Sequence, residues 1–132
     1  MASLTPAELN RMRERLRARD LELRRAIHAA LVNNEDKTYA EVAGRVLDSA
    51  EESVADLVAD AHILMMEKEV AEQVDVTAAL ARITDGTYGD CIDCGDAIGI
   101  KRLDAWPTAK RCIRCQTHYE TTHRGRDATP SL

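Results

Sequence analysis

Phenylalanine is absent from the 132 residues, and the aromatic side chains amount to one tryptophan and three tyrosines. So few rings cannot fill a broad core, and the apolar residues are mostly Ala, Leu and Val. With 31% charged residues, this is the composition of long helices that bury a narrow stripe and expose the rest. No stretch is long and apolar enough for a membrane span, and Met1-Ala-Ser-Leu-Thr5 has no signal-peptide core. The expected location is therefore cytoplasmic. A net charge of -5 disfavours wrapping the whole molecule on nucleic acid, which would need a basic surface to release counterions. Cysteine is also scarce, four in all, and every one falls within a single short segment.

That segment is Cys91-Ile-Asp-Cys94, followed after seventeen residues by Cys112-Ile-Arg-Cys115. Two C-x2-C pairs at this spacing suit one Zn²⁺, because each pair supplies two thiolates from one turn and the intervening chain folds back to complete a tetrahedron. The pattern reads as a structural zinc site rather than two disulfides, since nothing places the chain in an oxidising compartment. Four sulfur ligands leave no open position for activating water, so the metal is expected to hold a fold and not to catalyse. No catalytic residue is assigned: His28 and His62 fall inside helices, while His118 and His123 follow a site that four thiolates already fill.

The first helix is announced by Thr5-Pro6-Ala7-Glu8, a cap, a proline suited to the first turn and a glutamate three residues after the cap. Leu9, Met12, Leu16, Leu23, Ile27 and Ala30 then form one stripe ending near Val32. Thr38 and Glu41 repeat the capping spacing, for a short helix to about Val46 or a continuation of the first. Ser49 and Glu52 mark a further start, with a long helix expected to about Ile83, roughly 50 Å at 1.5 Å per residue. Seven arginines lie between Arg11 and Arg25, whereas eight acids and one lysine lie between Glu51 and Asp75. Helices of opposite charge with one apolar stripe each are expected to pair antiparallel, bending somewhere in 33–50. Gly86 is placed to end the second arm. The Gly-rich segments between the cysteine pairs read as short strands or loops, and Cys112 to about Thr122 as a last helix.

With both features in view, the sequence resembles the DksA/TraR family of bacterial transcription factors. Gly86-Thr-Tyr-Gly-Asp-Cys91, Cys94-Gly, Ile98-Gly, Arg102-Leu, Pro107-Thr-Ala and Cys112-Ile-x-Cys115 look like its zinc-finger signature over about 86–119. The resemblance implies a mainly α fold: an antiparallel coiled-coil helical hairpin over 1–85 with its tip around 33–53, a small four-cysteine zinc finger over 86–122 with a short C-terminal helix, and a disordered tail over 123–132. The metal ligands are Cys91, Cys94, Cys112 and Cys115, for one structural Zn²⁺. The implied function is regulation of transcription by direct binding to RNA polymerase, with an acidic tip inserted into the secondary channel.

The family's tip, Asp-x-x-Asp-x-Ala, corresponds here to Asp48, Glu51 and Ser53, where the same acids would also cap a helix. Arg102, Lys110 and Arg111 are candidate docking residues, or simply solvated charge on the finger. Positions that hold guanosine tetraphosphate in some relatives correspond to Asp75, Trp106 and Gln116, none of them basic, so that ligand is not expected. The chain is expected to be a monomer without membrane or sequence-specific DNA contacts. The alternative is a zinc-ribbon nucleic-acid binder, although Tyr88, Trp106 and Tyr119 are too few and scattered for a stacking platform.

Overall fold

The computed structural model describes residues 4–33, 37–48, 53–60 and 67–123. Among the described residues six helices follow one another: α1 Pro6–Val32, α2 Lys37–Asp48, α3 Val54–Asp60, α4 Glu67–Asp85, α5 Ile100–Ala105 and α6 Ile113–Thr122. The fold is mainly α, and a single antiparallel bridge, Asp90 with Ala97, is the β pairing among the described residues.

α1 starts where its capping box dictates. Thr5 Oγ1 accepts from Glu8 N at 3.1 Å and Glu8 Oε1 accepts from Thr5 N at 2.9 Å, satisfying two amides that the first turn leaves without intrahelical partners. At 27 residues α1 is roughly 40 Å long. α4 runs antiparallel beside its N-terminal half, with Arg19 on Glu72 and Asp20 on Gln73 fixing the register. α4 ends at Gly86, whose φ of 81° only glycine adopts without strain. Thr87 N bonds Arg82 O at 2.9 Å and Gly86 N bonds Ile83 O at 3.3 Å, the two bonds of a Schellman motif.

The second arm is not the continuous helix expected from Ser49 to Ile83. Val54 N donates to Gln73 Oε1 at 2.9 Å. Nineteen residues of unbroken helix would hold those positions roughly 28 Å apart, so α3 doubles back on α4. α2 likewise runs back along α1, the His28 ring bonding Ala43 O at 2.8 Å and Arg24 Nη1 bonding Val46 O at 2.9 Å.

Among the described residues two apolar clusters result. The first joins α1 and α4 to the finger through Met12, Leu16, Val76, Ile83, Tyr88 and Leu103. The second joins Ile27 and Leu31 of α1 to Val42 and Val46 of α2 and to Val54 and Leu57 of α3. Between the clusters lies a buried polar seam. Gln73 is fully buried; its Nε2 donates to Asp20 Oδ1 (2.8 Å) and Thr77 Oγ1 (2.6 Å). Arg24, 3% exposed, donates from Nε to Asp20 Oδ2 at 3.0 Å. Polar groups so deeply buried are tolerated because these bonds replace those to water.

Candidate metal centre

The finger begins directly after α4. Cys91 N donates to Asp96 O at 2.8 Å and Gly95 N to Cys91 O at 2.9 Å, curling the first cysteine pair into a tight turn. Gly95, with φ of 81°, makes that curl accessible. Ile92 N donates to Lys110 O at 2.9 Å, laying the approach to the second pair alongside the first. Cys112 then precedes α6, which carries Cys115. The segment expected to be strand or loop contains instead a short helix, α5, because Leu103 drops fully buried into the first cluster while Lys101 and Asp104 face outward.

All four Sγ atoms lie within 4.8 Å of one another, and Cys94 and Cys112 are 3.8 Å apart. A tetrahedral Zn²⁺ with bonds of ~2.3 Å needs sulfurs ~3.8 Å apart, so the donor set fits in number, chemistry and spacing. Burial pushes the Cys91 thiol up, but the backbone N–H groups of Cys94, Cys112 and Asp93 outweigh it and bring it down to about 6. Burial and the three neighbouring sulfurs push Cys115 up to about 12. Four thiolates cannot share so small a space without a cation to compensate them.

Residues 86–120 match the prokaryotic dksA/traR C4-type zinc finger. The four-cysteine segment is therefore a finger of the dksA/traR C4 type. The finger accordingly holds one structural zinc. The chain is 41% identical to the RNA polymerase-binding transcription factor DksA of Caulobacter vibrioides over 49 residues, 37% of this chain and 34% of that protein. For the protein of the same name in Escherichia coli K12 the figures are 41% over 51 residues, 39% and 32%. The matches thus span about a third of these relatives' length. The solved structure of transcription factor DksA2 from Pseudomonas aeruginosa superposes with a TM-score of 0.58 at 27% identity, covering 90% of this chain and 88% of that one.

The remaining site candidates are scattered. Asp48 is exposed at the C-terminal end of α2, not at the start of a helix, and Glu51 lies outside the described residues. Ser53 precedes α3, its Oγ accepting from Ala55 N at 3.2 Å. Of the finger's cations, Arg102 donates to Arg111 O at 3.0 Å and lies 5.0 Å over the Trp106 ring. Arg111 bonds Asp93 at 2.8 Å and covers Tyr119 at 3.9 Å, so both guanidiniums are engaged in holding the finger. Lys110 is exposed. Asp75 and Trp106 line one cleft of about 1000 Å³ between α1, α4 and the finger, together with Arg15, Arg19, Lys68 and Glu72. Gln116 points elsewhere, to Glu120 at 2.9 Å.

Sequence reading passed over Asp104, which accepts from Arg11 at 2.7 Å and Arg15 at 3.4 Å and so ties the finger to α1. It also passed over Gln73 and Arg24. Polar residues in a helical pattern read as solvated, and only the tertiary fold buries them.

Proposed function

We propose that the protein regulates transcription by binding RNA polymerase, without chemistry of its own. The observation that carries this reading is the finger, which matches the family model and shares 41% identity with proteins named for polymerase binding. In the proposed arrangement the helical part, 1–85, presents Asp48, Glu51 and Ser53 to the secondary channel, while the finger, 86–122, docks outside it through Lys110, with Arg102 and Arg111 shaping that surface. The protein acts as a monomer and makes no sequence-specific DNA contact. Guanosine tetraphosphate is not a ligand of the cleft. Asp75 stands there with no cation within ion-pairing distance among the described residues, and Arg19, which could otherwise meet a phosphate, is held by Glu72.

The test is a pull-down with purified bacterial RNA polymerase, followed by run-off transcription. The full chain should be retained, and Asp48→Asn/Glu51→Gln should be retained equally while losing its effect on transcript yield. Lys110→Glu should reduce retention, more so at higher salt, as expected for a charge contact across solvent. No retention by polymerase, with binding to bare DNA instead, refutes the reading in favour of a nucleic-acid binder.

A further inference from the structure

We infer that Arg114 is the cationic outer partner of the zinc centre: it acts through Cys94, the ligand left open to solvent, and Asp96 sets how much of its charge reaches that sulfur. The four ligands are unequally covered. Cys91 and Cys112 are buried and Cys115 is half-buried, whereas Cys94 is exposed. The backbone N–H groups of Cys94, Cys112 and Asp93 offset charge at Cys91, and that of Asp96 does so at Cys94. Backbone dipoles supply only partial charges, so the exposed thiolate is where a full positive charge can still act. Arg114 meets it there. Its Nη2 lies 3.7 Å from Cys94 Sγ and 3.2 Å from Asp96 Oδ2. Among the described residues, Arg114 is the cation that hydrogen-bonds a cysteine sulfur.

The local fold brings a residue of the second cysteine pair to a ligand of the first. Ile92 N donates to Lys110 O, so the two pairs run side by side, and the sulfurs of Cys94 and Cys112 come to 3.8 Å. α6 begins at Ile113, which puts Arg114 in its first turn, beside Cys94. Arg111 comes from the same segment and pairs with Asp93 at 2.8 Å, but its guanidinium lies over the Tyr119 ring. Its side chain is 12% exposed, against 72% for Arg114, so Arg111 is built into the finger while Arg114 lies over its surface. The sign of the effect follows from charge. Four thiolates around Zn²⁺ carry a net double negative charge, and a finger that gives up the metal takes up protons on its sulfurs and loses that charge. A guanidinium in contact with Cys94 therefore favours the loaded finger. Asp96 opposes it, because the carboxylate adds negative charge and draws the same Nη2 away from the sulfur.

The experiment measures the zinc affinity of the full chain by competition with a chromophoric chelator, at low and high salt, for the parent and for Arg114→Gln, Arg114→Lys and Asp96→Asn. Each chain is also loaded with Co²⁺, whose absorption reports a tetrahedral set of thiolates and should be the same in all. Arg114→Gln should weaken zinc binding by about 10-fold, the low end for outer partners of a metal site because the side chain is exposed, and the deficit should shrink at high salt. Arg114→Lys keeps the charge and should bind nearly as the parent does. Asp96→Asn should bind roughly 3-fold tighter, the scale of an exposed charge contact. The opposite signs separate a charge partner from a clamp, since an Arg114–Asp96 pair that merely tied the two cysteine turns together would make both neutral variants weaker. The inference is overturned by Asp96→Asn weakening zinc binding, by Arg114→Lys binding as poorly as Arg114→Gln, or by Arg114→Gln binding as the parent does. Loss of the cobalt spectrum in Arg114→Gln overturns it as well, because Arg114 would then build the finger and not act on its charge.

Discussion

Leu103→Ala probes whether finger and hairpin base share one core. Leu103 is fully buried in α5 and belongs to the cluster that includes Met12, Leu16, Val76 and Ile83 from the helices and Tyr88, Cys91 and Ala109 from the finger. Truncating such a leucine removes its transfer free energy and leaves a cavity whose walls relax only partly, a cost of about 3 to 5 kcal/mol. The zinc anchors one wall of that cavity through Cys91 and Cys112, so little relaxation is expected and the upper part of the range applies. For a chain of this size the midpoint temperature should fall by about 10 to 15 °C. Urea unfolding of the zinc-loaded protein should be followed by circular dichroism, which reports the helices, and by the fluorescence of Trp106, the single tryptophan, which reports the finger. Both transitions should move together to lower urea. A loss below about 1 kcal/mol, or a fluorescence transition that moves while the helical one stays, would show that the finger keeps a core of its own.

Elemental analysis should give one zinc per chain, and a strong chelator should disorder 91–115 and loosen the paired bases of α1 and α4, which pack on Cys91 and Cys112. Hydrogen exchange checks this: α2, which packs in the other cluster, should retain more of its protection. The Glu72 carboxyl is held below its ordinary value by the Arg19 hydrogen bond, despite the opposing effect of burial. Its contribution to stability is therefore full above the ordinary carboxylate range and lost as pH falls through the lowered value. The pair is largely exposed, so Glu72→Gln should cost less than about 1 kcal/mol at pH 7 and nothing once Glu72 is protonated; an equal cost at both pH values in urea titrations would refute the charge argument.

What the sequence made legible was local chemistry. Thr5 and Glu8 close their box because three residues of helix bring them together, and Gly86 ends α4 because only its φ suits the turn. The cysteine pairs declare their metal by spacing alone. Less legible was the reversal between Asp60 and Glu67, because an apolar stripe from Val54 to Ile83 satisfies one long helix and two stacked ones equally well. The opposite charges of the two arms did not decide it either. Among the described residues, Arg19 with Glu72 is the ion pair joining α1 to α4, while Arg11 and Arg15 turn to Asp104 of the finger. Exposed pairs contribute too little to choose a topology. The choice rests instead on buried groups, the apolar cluster of α1, α2 and α3 and the polar residues beside it. An exposed glutamine at position 73 would be neutral toward either arrangement, but once enclosed by α1 and α3 its amide demands partners, and Asp20, Thr77 and Val54 N supply all of them. The same seam interrupts the apolar packing between the two clusters. It adds a few directional bonds to the apolar burial by which α2 and α3 pack on α1 in the second cluster.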